Sequence, residues 1–150
     1  MAFAEHVPEK LWEKRYNWLQ EVEESEINPR ASYLISPHGT FITYDLEIAF
    51  CAGAWASVIV LAHAAIDSTI RDVETGDYKA NSKMIFGDDP DLEWLRKMRN
   101  ALVHVSGSPS KGPISESDLE NLDAYHDSLE EEAKRAMKLV FRTIYASPGT

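Results

Sequence analysis

Residues 48–66, IAFCAGAWASVIVLAHAAI, are nineteen consecutive positions without Asp, Glu, Lys or Arg. A segment this apolar on every side either spans a membrane or lies at the centre of a packed domain. Seven of the nineteen are alanine, and Gly53, Ser57 and His63 dilute the run further, so its apolar content is modest. Its flanks carry Asp45, Glu47 and Asp67, whereas a span shows a Lys/Arg bias on one side. The run therefore predicts a buried central helix, part of a longer helix over residues 44–74 with Gly76 as its cap.

The rest of the chain supplies helices to cover it. Pro8 followed by EKLWEKRYNWLQEVEESE suits a helix start, with Leu11, Trp12, Tyr16 and Leu19 at helical spacing. Residues 27–40 hold two prolines and a glycine and read as a connector with room for one short extended piece. A second connector, DYKANSKMIFGDDP, precedes a helix over 91–105, where Leu92, Leu95, Met98 and Leu102 form an apolar stripe. SGSPSKGP is a loop that no helix passes through. A final helix to about Tyr145 is capped at Ser115 or Ser117, with acids early and bases late, matching the helix dipole. No β-pattern, internal repeat or low-complexity segment stands out. The expectation is one all-α domain over 1–150, with four principal helices in an up-and-down bundle and short connector helices between them.

Composition narrows the function. With 44% hydrophobic and 27% charged residues the chain reads as an ordinary globular protein. A net charge of −10 argues against non-specific binding of nucleic acid or membrane by the whole surface, but screening leaves room for a local basic patch. A single cysteine, Cys51, rules out an internal disulfide and reads as a small core hydrophobe. MAFAEHVPEK has acid where a secretory signal has base, and no apolar segment, so a cytoplasmic location without a membrane is expected.

Two groups of residues carry chemistry. His63, Asp67 and Arg71 fall at i, i+4 and i+8 and line one face of an otherwise apolar helix. They are either a satisfied polar seam or the wall of a wet cleft. The second group is RKMRNALVH at 96–104, which closes a helix just before the loop. Asn100 and His104 share a helix face, but Arg99 and His104, five apart, stand about 140° apart on a regular helix. They converge only if the helix end turns or two copies meet across a symmetry axis. A histidine in the last turn also faces the negative end of the dipole, which favours its charged form and suits a general acid. Metal chemistry finds little footing: DAYH at 123–126 is the nearest approach to a Glu-x-x-His repeat and occurs once.

RNALVH resembles the Arg-x(4–6)-His motif of HEPN domains (higher eukaryotes and prokaryotes nucleotide-binding), in the form with Asn after the Arg. The surroundings are similar as well: the motif closes a helix headed by DLEWLRKM, and upstream lie an Ala-rich helix with a polar stripe and the connector KMIFG. The resemblance covers residues 46–105 best. One departure is Asp67, where such domains often carry Glu. The resemblance implies an all-α homodimer whose two motifs line a shared cleft. It also implies RNA or nucleotide as ligand and a metal-independent endoribonuclease activity of toxin or defence type, with an antitoxin or other protein as a further partner. His104 then serves as general acid or base, Arg99 holds the phosphate and stabilises the transition state, Asn100 positions a phosphate or orients His104, and Arg96 and Lys97 extend the electropositive rim. No cofactor or metal is implied. The rival reading is a non-catalytic module of the same architecture that binds nucleotides or protein partners. A small-molecule or metal-binding bundle using His63 and Asp67 is the third.

Overall fold

The computed structural model describes residues 6–31, 33, 36–71, 83, 87–104 and 115–146. Among these it is helical, with no strand. In chain order the elements are α1 (Glu9–Glu26), α2 (Pro37–Ala52), α3 (Trp55–Arg71), α4 (Asp91–Val103), α5 (Glu116–Glu120), α6 (Leu122–Ser128) and α7 (Glu130–Ala146). The all-α bundle expected from the sequence is present. The described residues contain five long helices rather than four, because the expected central helix is two.

That central helix begins earlier than its apolar run suggests. Ser36 caps α2 by accepting the Gly39 N–H at 2.9 Å, and Pro37 takes the first helical position, so part of the 27–40 connector is helix. The helix then stops at Gly53, in the left-handed region at φ 74°. The Gly53 N–H donates to the Phe50 carbonyl and the Ala54 N–H to the Ala49 carbonyl, at 3.0 and 2.9 Å. This pair of bonds is a Schellman ending, which satisfies two of the carbonyls that α2 leaves open. Arg15 completes the end by donating from Nη1 to the Cys51 carbonyl at 3.1 Å. The expected close of the helix at 72–76 lies outside the described residues.

The chain resumes as α3, the axis of the fold. Its buried side (Trp55, Val58, Ile59, Ala62, Ala65, Ile66 and Ile70) is covered by α2, α4 and α7. Helix α7 contributes the largest share of the remaining core, including Met137, Val140, Phe141 and Ile144. Helix α1 closes the bundle against α2 and α7. Its apolar residues divide differently from their expected stripe. Leu19 is buried, but Leu11, Trp12 and Tyr16 are exposed, because the inward face is instead Arg15, Trp18, Leu19 and Val22. The expected last helix is three pieces. A capping box at Ser115 starts α5, with Ser115 and Asp118 exchanging side chain-to-backbone bonds, and the backbone breaks at Asn121 and again at Leu129.

Two arginines of α7 fix α4 in place. Arg142 pairs with Asp89 and Arg135 with Asp91, and the Arg135 guanidinium lies 3.9 Å from the Trp94 ring centroid. The hydrogen bond from Arg142, together with the Asp91 N–H, holds the Asp89 carboxyl below the usual carboxylate range. A depressed folded-state pKa stabilises the fold above the unfolded value, about 3.9, and the contribution is lost as pH falls through the lower folded value. Asp89→Asn is therefore expected to lower the urea midpoint at pH 7. The gap to wild type should close as the pH is lowered through the carboxylate range, measured by circular dichroism.

Candidate functional site

Helix α4 ends at Val103, two residues short of the expected 105. Its last helical bond runs from the His104 N–H to the Asn100 carbonyl at 2.9 Å, and His104 then leaves the helix at φ −110°, ψ 112°. That bond keeps the His104 Cα on the helical cylinder, so Arg99 and His104 project from the axis about 140° apart. Arg99 is half-buried, while Asn100 and His104 are exposed. Arg99 Nη1 donates to Asn100 Oδ1 at 2.8 Å. No hydrogen bond joins Arg99 to His104 among the described residues. One chain thus unites Arg99 with Asn100 and leaves His104 on another flank. The loop at 105–114, whose break was expected to free the helix end, lies outside the described residues.

The rim residues are only partly available as cations. Arg96 pairs with Glu93 at 2.7 Å, and Lys97 Nζ lies 4.0 Å from the same carboxylate. Both pairs are solvated, so they contribute little to stability and an incoming phosphate can displace them at small cost. The hydrogen bond from Arg96 holds the Glu93 carboxyl low. Arg99 differs: among the described residues no carboxylate lies within ion-pair distance of it. A guanidinium hydrogen-bonded to an amide and to no carboxylate among the described residues is a suitable receptor for an anion.

What brings the two sequence groups together is the packing of α4 on α3. His63 is half-buried on α3, and its imidazole is pushed below its ordinary pKa, first by burial and then by the nearby Arg99 charge; Arg96 acts in the same sense and Asp67 opposes. The neutral form therefore predominates around neutral pH, leaving one ring nitrogen as an acceptor. Asp67 in turn holds Arg71 through its Nε at 3.0 Å. Polar seam and motif thus lie within electrostatic reach of one another across the α3–α4 contact. Arg99→Ala is expected to move the His63 titration upward toward its unperturbed value, and Arg96→Ala to move it less; two-dimensional NMR of the imidazole protons reads both.

The remaining candidates go elsewhere. Cys51 is buried, and burial raises its thiol pKa, as befits an unreactive core residue. His126 of the DAYH segment stacks on Trp55 at 6.4 Å between centroids, and among the described residues no three His, Cys, Asp or Glu side chains gather as a metal site requires. No described helix is long and apolar enough to cross a membrane; the break at Gly53 divides the run that raised the question. The sequence carries no signal for His38, which joins Asp67, Ser68 and Arg71 of α3 only through the packing of α2 on α3.

Comparison of the chain with protein-family models, curated proteins and solved structures gave no match. The functional reading therefore rests on the residues themselves.

Proposed function

We propose that this protein is a HEPN-like cytoplasmic homodimer that binds RNA or nucleotides and cleaves RNA without a metal ion. The observation that carries the proposal is Arg99: a guanidinium bonded to Asn100, with no carboxylate partner among the described residues, near His63 and about one turn from an exposed terminal histidine. In the reaction the ribose 2′-oxygen attacks the adjacent phosphorus, the O2′–P bond forms and the P–O5′ bond breaks. The products are a 2′,3′-cyclic phosphate and a 5′-hydroxyl. Such chemistry needs a base for the 2′-hydroxyl, an acid for the 5′-oxygen and a cation for the pentavalent phosphorane. His104 supplies acid–base function, Arg99 stabilises the developing charge and Asn100 positions the phosphate.

The 140° separation of Arg99 and His104 supports a site assembled from two copies, in which Arg99 of one faces His104 of the other. A shared cleft also doubles the few local cations, which offsets the acidic net charge of the chain. Toxin or defence activity, held in check by an antitoxin-type protein, is the biological setting this chemistry fits. The same separation favours a second reading, in which the architecture binds nucleotides or protein partners without catalysis. Incubation of purified protein with RNA in EDTA distinguishes the two: cleavage that leaves cyclic-phosphate ends supports the enzyme, and intact RNA under every metal condition leaves the binding module.

A further inference from the structure

Helix α2 packs on α1 and α3, yet three of its large side chains face water. Phe41 is 67% exposed, Tyr44 64% and Ile48 41%. At 100° per residue they fall within about 60° of one another around the helix, opposite the buried Leu46 and Phe50. They therefore form one stripe along the outer face of α2. The stripe leaves about 300 Å2 of largely apolar surface in water, taking about 150–250 Å2 for a whole aromatic side chain. A contiguous patch of that size on a monomer is often functional.

The charges beside the stripe decide which partner fits it. Helix α2 carries two acids, Asp45 and Glu47, and no Lys or Arg. By the same geometry they flank the stripe, one on each side, each about 60° from its nearest member. Neither makes an ion pair among the described residues. A second copy of this helix is a poor match for such an edge. Packed antiparallel across a two-fold axis, it sets Asp45 beside Asp45 and Glu47 beside Glu47; packed parallel, it sets one acid beside the other. Both arrangements place like charges together. The stripe also offers less than half of the area, about 800 Å2, that each partner gives to a stable interface. A cationic segment reverses the charge objection, and a transient contact needs less area. Its ammonium or guanidinium groups reach the two carboxylates, and the rings of Phe41 and Tyr44 accept aliphatic side chains and cations alike.

We infer that the outer face of α2 is a docking surface for a basic amphipathic helix of another protein. Apolar side chains of that helix lie along Phe41, Tyr44 and Ile48, and Lys or Arg on either side meet Asp45 and Glu47. The surface uses neither Arg99 nor His104, so the inference goes beyond the ribonuclease reading and stands whether or not RNA is cut.

The test uses a labelled amphipathic peptide of Leu and Lys, about fourteen residues or four helical turns long, and its counterpart with Glu in place of every Lys. Fluorescence anisotropy at low salt should show the Lys peptide binding and the Glu peptide failing to bind. Amide shifts at Phe41, Tyr44, Asp45 and Ile48 should follow the Lys peptide. Phe41→Ala and Tyr44→Ala should each weaken it by about tenfold, as truncation of an aromatic anchor does. Asp45→Lys should weaken the Lys peptide and admit the Glu peptide, whereas Asp127→Asn, which removes an exposed acid on α6, should change nothing. All four side chains are exposed, so the circular-dichroism spectrum should stay that of wild type. Equal binding of the two peptides overturns the inference, as does unchanged binding by Phe41→Ala and Asp45→Lys. A dimer that Phe41→Ala dissociates in sedimentation also overturns it, and assigns the stripe to a second copy of the chain. RNA cleavage in EDTA reads the α4 site alone, so its failure leaves the docking surface standing.

Discussion

Arg99→Ala and His104→Ala are each expected to lower RNA cleavage in EDTA by at least about a hundredfold, with the helical spectrum and the dimer retained. A positioned general acid or base contributes about 10²–10⁴ in rate, and a single donor to a developing oxyanion about 10²–10³. The two losses differ in kind. His104→Ala removes proton transfer and should flatten one limb of the pH–rate profile, with KM little changed. Arg99→Ala removes charge stabilisation and should reduce kcat across the whole pH range. Arg99→Lys should recover little of the loss, because an ammonium cannot reproduce the planar fork that spans a phosphate. Asn100 holds Arg99 at 2.8 Å, so Asn100→Ala should fall between wild type and Arg99→Ala. Stability should respond weakly to all three, since His104 and Asn100 are exposed and Arg99 has no ion-pair partner among the described residues.

Gly53→Ala should be the most damaging conservative change to the fold. Placing an L residue at φ 74° costs about 1–2 kcal/mol in backbone strain. In addition, a Cβ built at Gly53 lies 2.9 Å from Arg15 Nη1. Arg15 cannot step aside freely, because it donates to the Cys51 carbonyl and its guanidinium carbon lies 4.9 Å from the Trp55 ring centroid. Its Nε is buried with no partner among the described residues, so these two contacts are what hold the guanidinium. Losing the bond to Cys51 adds about 1 kcal/mol. The sum, about 2–3 kcal/mol, corresponds to a fall in Tm of about 4–12 °C for a domain of this size. Calorimetry of Gly53→Ala in the wild-type and Arg15→Ala backgrounds separates the terms. The strain should persist in both, while the steric part should vanish once Arg15 is gone, leaving the pair non-additive.

This same glycine shows where sequence reading stops. The helices α1 and α4 were legible almost to the residue, because Pro8, the connector ending at Pro90 and the apolar stripe of Leu92, Leu95, Met98 and Leu102 are local signals. The break between α2 and α3 was not. A glycine inside an Ala-rich run costs a helix only about 1 kcal/mol, so local propensity allows it to be passed through. The Arg15 cation that occupies the space of the missing side chain is 36 residues away from Cys51, whose carbonyl it caps. The C-terminal region repeats the lesson: Ser115 as a cap was readable, whereas the breaks at Asn121 and Leu129 were not.

The candidate site divides in the same way. Arg99, Asn100 and His104 could be singled out because they are close in sequence and end a helix. That His63 lies in the field of Arg99 could not, since only the contact of α3 with α4 brings them together. His38 and Ser68 sit on different helices and carry no motif. Periodicity reports which face of a helix is apolar. It says nothing about which polar faces the bundle sets side by side.

The central claim is that Arg99 and His104 act together across two copies of the chain. Co-refolding the two inactive variants, Arg99→Ala and His104→Ala, in equal amounts tests it directly by RNA cleavage in EDTA. In a shared cleft, each mixed dimer regains one complete site and carries one doubly defective site. Half of the dimers are mixed, so roughly a quarter of wild-type activity should return. A mixture as inactive as its components, beside an active wild type, would contradict a site shared between two copies.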